Sequence, residues 1–247
     1  VKMSAPNMVI NASAYTAVDK AESESELAFA VNEKGPSYLA DACAAHGIPM
    51  VHVSTDYVFS GDKDSSYLET DSISPMGVYG QSKADGENAV RRRLKSHIML
   101  RTAWLYGVNG RNFVKTMLKL GKDRETIRVV ADQHGCPTYA GDLADAIIAI
   151  SGQVGSGLKG KWGTYHYCGR GYTTWHGFAE AIFEMAKSLI SLKVQNVAPI
   201  STDAYPTPAK RPVNSVLDCS RIQKEFGVRN RPWKESLAEM LKIILDD

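Results

Sequence analysis

A short apolar run that ends in hydroxyl-bearing residues occurs at Pro49-Met50-Val51-His52-Val53-Ser54-Thr55-Asp56-Tyr57-Val58-Phe59. The run is of strand length and nearly continuously apolar, so it predicts a strand over residues 49–53 that is buried on both faces. Strands of this kind belong to parallel sheets that helices cover on both sides. Thr55 then lies at the carboxyl end of the strand, where open α/β sheets bind their ligands.

Strands and helices alternate on both sides of this run. Strands are predicted at residues 8–10 and 98–100, and helices at 24–46 and 76–94, where apolar residues recur at helical spacing. Beyond Gly110 the pattern is looser. There it predicts helices at residues 112–120, 142–150, 174–189, 220–227 and 233–245, strands at 127–130 and 165–168, and loops at 132–139 and 204–212.

This order of elements predicts an α/β protein with a doubly wound, Rossmann-like parallel sheet and a smaller C-terminal α/β region. Residues 1–110 are predicted to form a dinucleotide-binding domain, to which 140–170 return. Residues 111–139 and 171–247 are assigned mainly to substrate binding. The glycine-rich turn that usually follows the first strand is missing from the sequence, so we expect the chain to lack a first strand–helix–strand unit of about 50 residues.

Composition excludes several classes of function. The 247 residues carry 29 basic and 27 acidic side chains, so no strong overall charge favours nucleic acid or a membrane surface as a partner. The four cysteines are widely spaced, which predicts reduced thiols rather than disulfides or a zinc site. No apolar stretch is long enough to span a bilayer. We therefore expect a cytoplasmic protein.

The candidate chemistry depends on Thr55, Tyr79 and Lys83. A phenol can protonate a carbonyl oxygen as hydride arrives at the carbon, and an ammonium four residues later on the same helix face is expected to lower the pKa of the phenol. The Thr55 hydroxyl can donate to the same carbonyl. The six histidines show no metal-ligand spacing, and no metal site is predicted.

Several blocks in fixed order carry a resemblance to a known family. They are Asn11-Ala-Ser-Ala-Tyr-Thr-Ala-Val-Asp-Lys-Ala-Glu22, Ser54-Thr-Asp-Tyr-Val-Phe59, Tyr79-Gly-Gln-Ser-Lys83, Arg101-Thr-Ala-Trp-Leu-Tyr-Gly107, Asp132-Gln-His-Gly-Cys-Pro-Thr138 and Arg211-Pro-Val-Asn-Ser-Val-Leu-Asp218. Over essentially its whole length the chain resembles the extended branch of the short-chain dehydrogenase/reductase superfamily. Within that branch it is most similar to the dTDP-4-dehydrorhamnose reductase family.

The resemblance implies a reduction. A 4-keto group on a dTDP-4-keto-6-deoxy sugar would receive hydride from NADPH or NADH, with Thr55, Tyr79 and Lys83 as catalytic residues and Tyr79 as the proton donor. Asn32 resembles an asparagine that buttresses the active-site strands. The residues implied to bind the cofactor are Asn11, Ala12, Ser13, Ala14, Tyr15, Ser54, Tyr79 and Lys83.

The resemblance also implies a nucleotide-sugar site. Trp104 would lie against the apolar side of the deoxysugar, and Arg211 would bind the diphosphate, because a guanidinium fork matches phosphate oxygens. The residues implied to bind substrate are Asp56, Tyr57, Trp104, Asn112, Gln133 and Arg211. Some family members use Mg²⁺ at a dimer contact, so Mg²⁺ and a homodimer are compatible with the chain, although the carboxylates for the ion cannot be mapped.

Two alternatives stay open at this point. An extended-branch epimerase or dehydratase would share the fold but use other chemistry, and Asp56 directly after Thr55 is compatible with a dehydratase. A non-catalytic binding protein, similar to the β subunit of methionine adenosyltransferase, would act through a partner enzyme. Net oxidation of NADPH separates a reductase from the first alternative. Recovery of a stoichiometric partner in a pull-down, without keto-sugar turnover, would favour the second.

Overall fold

A four-stranded parallel sheet organises the first two thirds of the chain. The computed structural model describes residues 6–155 and 160–245. The sheet consists of β1 (Val9–Asn11), β2 (Met50–Thr55), β3 (His97–Thr102) and β8 (Gly163–His166), hydrogen-bonded in the order β1-β2-β3-β8. All three pairings are parallel, which confirms the fold class predicted from the apolar strands.

Helices cover both faces of this sheet, because successive strand residues point to opposite sides. On one face Met50 and Met99 pack against α3 (Gly35–Ala45) and α4 (Val78–Arg93). On the other face Val51 and Leu100 pack against α6 (Ala140–Gly155) and α8 (Ser220–Phe226). The alternation identifies a doubly wound sheet with two separate apolar cores.

A further apolar core lies outside this sheet. It is built by α5 (Phe113–Asp123), α7 (Trp175–Ala186) and α9 (Trp233–Leu245), together with the parallel pair of β5 (Thr126–Val130) and β10 (Asn196–Ile200). These elements fall within the residues assigned to substrate binding, where β10 was not predicted. The division into two domains stays a prediction.

Two predicted segments differ from the structure. The predicted helix at 24–46 consists of α2 (Ser25–Phe29), a π-helical turn at Ala30–Lys34 and α3. Asn32 explains the interruption, because its buried amide bonds to the backbone of Tyr15 and to the Ser82 hydroxyl. A one-turn helix α1 (Val18–Ala21), which the pattern did not predict, precedes it.

The predicted loop at 132–139 contains two short strands. β6 (His134–Gly135) pairs with β9 (Thr173–Thr174), and β7 (Thr138–Tyr139) pairs with β4 (Leu105–Tyr106). Two-residue strands have no periodicity to detect in a sequence. Within the described residues, no helix is both long enough and apolar enough to cross a membrane. The four cysteines are free thiols.

Candidate active site

The carboxyl end of β2 holds the first predicted catalytic residue. Thr55 is the last residue of the strand, and its hydroxyl oxygen accepts a hydrogen bond from the backbone N–H of Tyr57 at 3.2 Å. This bond caps a single 3₁₀ turn, Asp56–Val58. Thr55 and Asp56 are both buried. The strand end and its capped turn therefore hold the hydroxyl in a defined place at the edge of the sheet.

The N-terminal turn of α4 brings Tyr79 to this edge. Its ring packs edge to face against that of Tyr57, with the centroids 5.4 Å apart. The Thr55 hydroxyl lies close enough to lower the pKa of the Tyr79 phenol. Gly80 makes the approach possible, since a Cβ there would come 2.3 Å from the Tyr57 carbonyl oxygen. Thr55 and Tyr79 thus lie close together at the carboxyl edge of the sheet.

Lys83 lies one turn further along α4 and is 2% exposed. Its ammonium donates to the carbonyl oxygen of Val53 in β2 at 2.7 Å. Burial lowers the pKa of Lys83 to about 8, although the nearby Glu87 carboxylate raises it. The side chain is therefore mostly charged at neutral pH, and its hydrogen bond connects α4 to β2.

The prediction that the pKa of Tyr79 is lowered is wrong. Burial raises the pKa of Tyr79 to about 12, the Asp56 charge also raises it, and the Thr55 hydroxyl lowers it. The physical reason is that desolvation of the phenolate outweighs its neighbours. Tyr79 consequently holds its proton at neutral pH.

Five of the predicted cofactor residues, Asn11 to Tyr15, lie at the end of β1 and directly after it. The Asn11 side chain donates to His52 Nδ1 at 3.0 Å and accepts from the backbone N–H and hydroxyl of Ser13, so it shapes the turn after the strand. The backbone N–H of Tyr15 donates to the Asn32 side-chain oxygen, and its phenol donates to the Glu24 carboxylate. Ala12 and Ser13 are exposed. Ser54 is buried beside them on the adjacent strand β2.

Trp104 stacks on Trp175, the first residue of α7, with the ring centroids 3.6 Å apart and an angle of 8° between the planes. Its backbone has φ 47°, a left-handed conformation that is uncommon for a side chain of this size. Gly135 lies directly against the ring, since a Cβ there would come 2.3 Å from it. The indole is thereby fixed at the border between the sheet and the core built around α7.

An apolar cavity of about 550 Å³ lies beyond this stack. Trp175 and Phe113 contribute aromatic rings to its lining, and Gln133 and Arg211 contribute polar groups. Gln133 donates to the Thr202 hydroxyl at 3.0 Å. Arg211 also lines a second cavity of about 890 Å³, which the loop at 60–66 borders.

Arg211 forms an ion pair that connects distant parts of the chain. Its guanidinium donates to both carboxylate oxygens of Asp19 in α1, at 3.1 and 2.8 Å, and to the Thr207 hydroxyl. The hydrogen bond from Arg211 lowers the pKa of Asp19. Arg211 also lies near Tyr57, whose pKa its charge lowers against the larger effect of burial. The ion pair therefore holds the arginine near the turn at Asp56–Val58.

Comparison with known proteins identifies the family. The family model described as the RmlD substrate binding domain matches residues 1–245. The chain belongs to this RmlD family. A dTDP-4-dehydrorhamnose reductase from Aggregatibacter actinomycetemcomitans is 48% identical to it over 233 residues, which cover 94% of this chain and 79% of the relative.

Solved structures of RmlD-family proteins agree with this fold. A dTDP-4-dehydrorhamnose reductase from Clostridium acetobutylicum superposes with a TM-score of 0.91 at 39% identity, covering 98% of this chain and 82% of the other. The Bacillus anthracis enzyme of the same name, in complex with NADP, gives a TM-score of 0.87 at 39% identity, covering 97% of this chain and 82% of the other. The similarity extends over nearly the whole chain.

Within this RmlD-family site, the predicted substrate residues do not all have free side chains. The Asn112 amide caps α5: its oxygen accepts from the Lys115 backbone and its nitrogen donates to the Gly107 carbonyl. Of the others, Gln133 and Arg211 line the cavity of about 550 Å³. Asp56 is buried, Tyr57 packs on Tyr79, and Trp104 stacks on Trp175. Among the described residues, no group of three or more histidine, cysteine, aspartate or glutamate side chains is placed to hold a metal ion.

Sequence reasoning missed two residues that contact predicted site residues. Trp175 lies 71 positions from the ring on which it stacks, and Asp19 lies 192 positions from its ion-pair partner. Neither contact leaves a local pattern in the sequence. The Thr174 cap, whose side chain accepts from Gly177, was the one available signal that Trp175 begins a helix.

Proposed function

We propose that the protein reduces the 4-keto group of a dTDP-4-keto-6-deoxy sugar, converting dTDP-4-dehydrorhamnose to dTDP-L-rhamnose, with Tyr79 as the proton donor. The observation that carries the proposal is the meeting of Thr55, the Tyr79 phenol and the buried Lys83 at the carboxyl edge of one parallel sheet. Relatives named for this reaction that are 39–48% identical to the chain support the choice of substrate.

The residues present fit a nicotinamide cofactor beside β1 and β2. When bound, NADPH or NADH supplies the hydride. Lys83 has three ammonium hydrogens, and within the described residues only the Val53 carbonyl oxygen accepts one of them. The remaining two are available to ribose hydroxyls. The exposed Ala12 and Ser13 leave the backbone after β1 open to a ligand.

The raised pKa of Tyr79 keeps its phenol protonated before the reaction. A phenol that titrates near 12 is fully protonated at neutral pH, and so it carries the proton that the reduced sugar oxygen needs. Transfer leaves a phenolate in a buried site. The charged Lys83 one turn away stabilises that anion, because opposite charges at short range favour the charged form.

The cavity beyond Trp104 and Trp175 suits the nucleotide end of the substrate. Its apolar lining includes Phe113 and Trp175, whose rings can stack on a base or a deoxysugar. The Asp19 carboxylate orients the Arg211 guanidinium, which also lines this cavity. We assign the diphosphate to Arg211, since bidentate guanidinium bonds recognise phosphate oxygens. The implied Mg²⁺ receives no residues in this proposal.

The proposal is tested by following NADPH oxidation with dTDP-4-dehydrorhamnose and identifying the product. We expect formation of dTDP-L-rhamnose with equimolar loss of NADPH. Tyr79→Phe should lower kcat by about 10²-fold, the contribution of a positioned general acid. The cofactor dissociation constant should be nearly unchanged.

Tyr38→Phe, on the exposed surface of α3, is the matched control and should behave as wild type. Turnover of the Tyr79→Phe enzyme at the wild-type rate would remove Tyr79 from the mechanism. Product formation without net NADPH loss would instead indicate an epimerase or dehydratase.

A further inference from the structure

The carboxyl group of Asp56 is buried directly beside the Thr55 hydroxyl. Asp56 is 2% exposed, and Thr55 Oγ1 donates to Asp56 Oδ1 at 2.9 Å. Its second oxygen, Oδ2, is buried without a hydrogen-bond partner in the described part of the chain. A buried carboxylate normally has its oxygens satisfied, so the unpartnered oxygen makes the charged form of Asp56 costly.

The surroundings of Asp56 allow it to titrate in the physiological range. Burial raises its pKa to about 6, while the nearby Ser215 hydroxyl, the Thr55 hydroxyl and the backbone of its own turn lower it. The Ser215 hydroxyl itself donates to the His134 carbonyl oxygen. The titratable groups that face it are Tyr57 in the same turn, Tyr79 on α4 and Cys136 after β6. The Asp56 charge acts to raise the pKa of all three. Burial also raises the pKa of both tyrosines, so they are neutral when Asp56 gains or loses its proton. The pKa of Cys136 is lowered overall, chiefly by its hydrogen bond with Cys168.

The hydroxyl of Thr55 has one hydrogen to give. While Asp56 is charged, that hydrogen is bonded to Asp56 Oδ1, and the hydroxyl oxygen accepts from Tyr57. No hydrogen then remains for a keto oxygen. When Asp56 is protonated, its own O–H can donate to the Thr55 oxygen, and the threonine hydrogen becomes free to point into the cleft.

The charge of Asp56 acts on Tyr79 in the same direction. A carboxylate beside the phenol raises its pKa and so makes it a weaker acid. Protonation of Asp56 removes that charge, which makes proton transfer from Tyr79 easier. Hydrogen-bond direction and electrostatics therefore both favour the reduction when Asp56 is neutral.

We infer that Asp56 is a positioning residue that acts in its protonated form, directing the Thr55 hydroxyl toward the keto oxygen. The inference rests on the proposed function, because it concerns the same site and the same carbonyl. Asp56 itself gives no proton to the substrate. Tyr79 supplies the one proton that the reduced oxygen takes, and Asp56 keeps its own.

The first test is the dependence of kcat on pH between about pH 5 and 8, with saturating NADPH and dTDP-4-dehydrorhamnose. Wild-type kcat should fall as pH rises through about 6, because the neutral carboxyl is lost. Asp56→Asn keeps an N–H that can donate to Thr55 at every pH. Its kcat should be flat over the range and should exceed that of wild type at the alkaline end. An unchanged inflection in Asp56→Asn would overturn the inference.

The second test needs no turnover. Infrared difference spectra of wild type minus Asp56→Asn should show a protonated carboxyl band that disappears as pH rises through about 6. Thr55→Val removes a donor that stabilises the charged form, so the band should persist to higher pH. An identical midpoint in Thr55→Val would overturn the proposed hydrogen bond. If wild type shows no keto-sugar turnover at any pH, the proposed function fails, while this titration still decides the Asp56–Thr55 arrangement.

Discussion

The Glu22 carboxylate accepts a hydrogen bond from the backbone N–H of Val78 at 2.9 Å, across 56 positions of the chain. Val78 is the first residue of α4, and the preceding Gly77 has no side chain to cap the helix. Glu22 therefore serves as a remote cap for the helix that carries Tyr79 and Lys83. The carboxylate also complements the positive end of the helix dipole.

Glu22→Ala should weaken the first turn of α4. Loss of a helix cap costs about 1 kcal/mol, which denaturant unfolding would detect. We also expect kcat to fall severalfold with little change in KM for the nucleotide sugar, since Tyr79 is the second residue of the helix. Glu22→Gln keeps the oxygen acceptor and should restore most of kcat. Equal losses of kcat in the two variants would show that charge, rather than the hydrogen bond, is what matters.

Arg211→Ala should weaken nucleotide binding more than cofactor binding. Hydrogen bonds to a charged group are worth about 1.5–3 kcal/mol, so the dissociation constant for dTDP should rise by about 10- to 100-fold. Calorimetric titrations with dTDP and with NADPH would measure both. Arg92→Ala, on the exposed part of α4, is the control for a lost positive charge. Parallel losses of both affinities in Arg211→Ala would indicate a damaged fold.

Gly135→Ala should displace the Trp104 ring. The added Cβ would come 2.3 Å from Trp104 Cε2, so the indole must move off Trp175. Near-ultraviolet circular dichroism should lose the signal of the stacked pair, and KM for the nucleotide sugar should rise. Gly152→Ala, where a Cβ meets nothing within 4 Å, is the matched control and should leave both unchanged. A Gly135→Ala variant with the wild-type spectrum would contradict the close contact between Gly135 and the indole.

Glu87→Gln should destabilise the sheet at the base of the site. The buried carboxylate receives two hydrogen bonds from Arg101, at 2.9 and 2.7 Å, and one from Arg91 at 2.6 Å. Leaving a buried guanidinium without its charged partner costs about 3–5 kcal/mol. Urea unfolding at neutral pH would measure the loss, with Glu180→Gln on the exposed face of α7 as the control.

The ion pair of Glu87 with Arg101 also predicts how the stability of the fold depends on pH. Burial alone would raise the pKa of Glu87, but the bonds and charges of Arg101 and Arg91 lower it to about 2. A carboxyl whose pKa is lower in the folded state stabilises the fold above its unfolded pKa. That contribution should disappear as pH falls from about 4.5 to 2, and it should be missing from the acid unfolding curve of Glu87→Gln.

Much of the fold could be predicted from local pattern. Continuous apolar strands identified the parallel sheet, and helical spacing placed Tyr79 and Lys83 on one helix. The four-residue interval between them, together with a strand ending at Thr55, was sufficient to bring three side chains to one edge. The two-residue strands and the π turn at Asn32 could not be predicted, because their cause is a contact with residues far away in the chain.

The pKa values and ion pairs at the site could be predicted less well than the residues that form it. Spacing alone indicated that Lys83 would lower the pKa of Tyr79, but the depth of burial decides the sign, and burial depends on Tyr57 and the turn at Asp56. Arg211 was predicted as a phosphate ligand from its residue type. Its partner Asp19 could be found only once α1 and the loop at 204–212 were seen side by side.

The hydrogen bond from Lys83 to the Val53 carbonyl has a consequence for interpreting mutants. Replacing the lysine removes a cation and also removes the hydrogen bond between α4 and β2. The kinetic defect of Lys83→Ala therefore combines the effects of both losses. Lys83→Met fills similar space but also lacks both the charge and the hydrogen bond. Only measurements at several ionic strengths or pH values within one variant can separate the effect of the charge from that of the hydrogen bond.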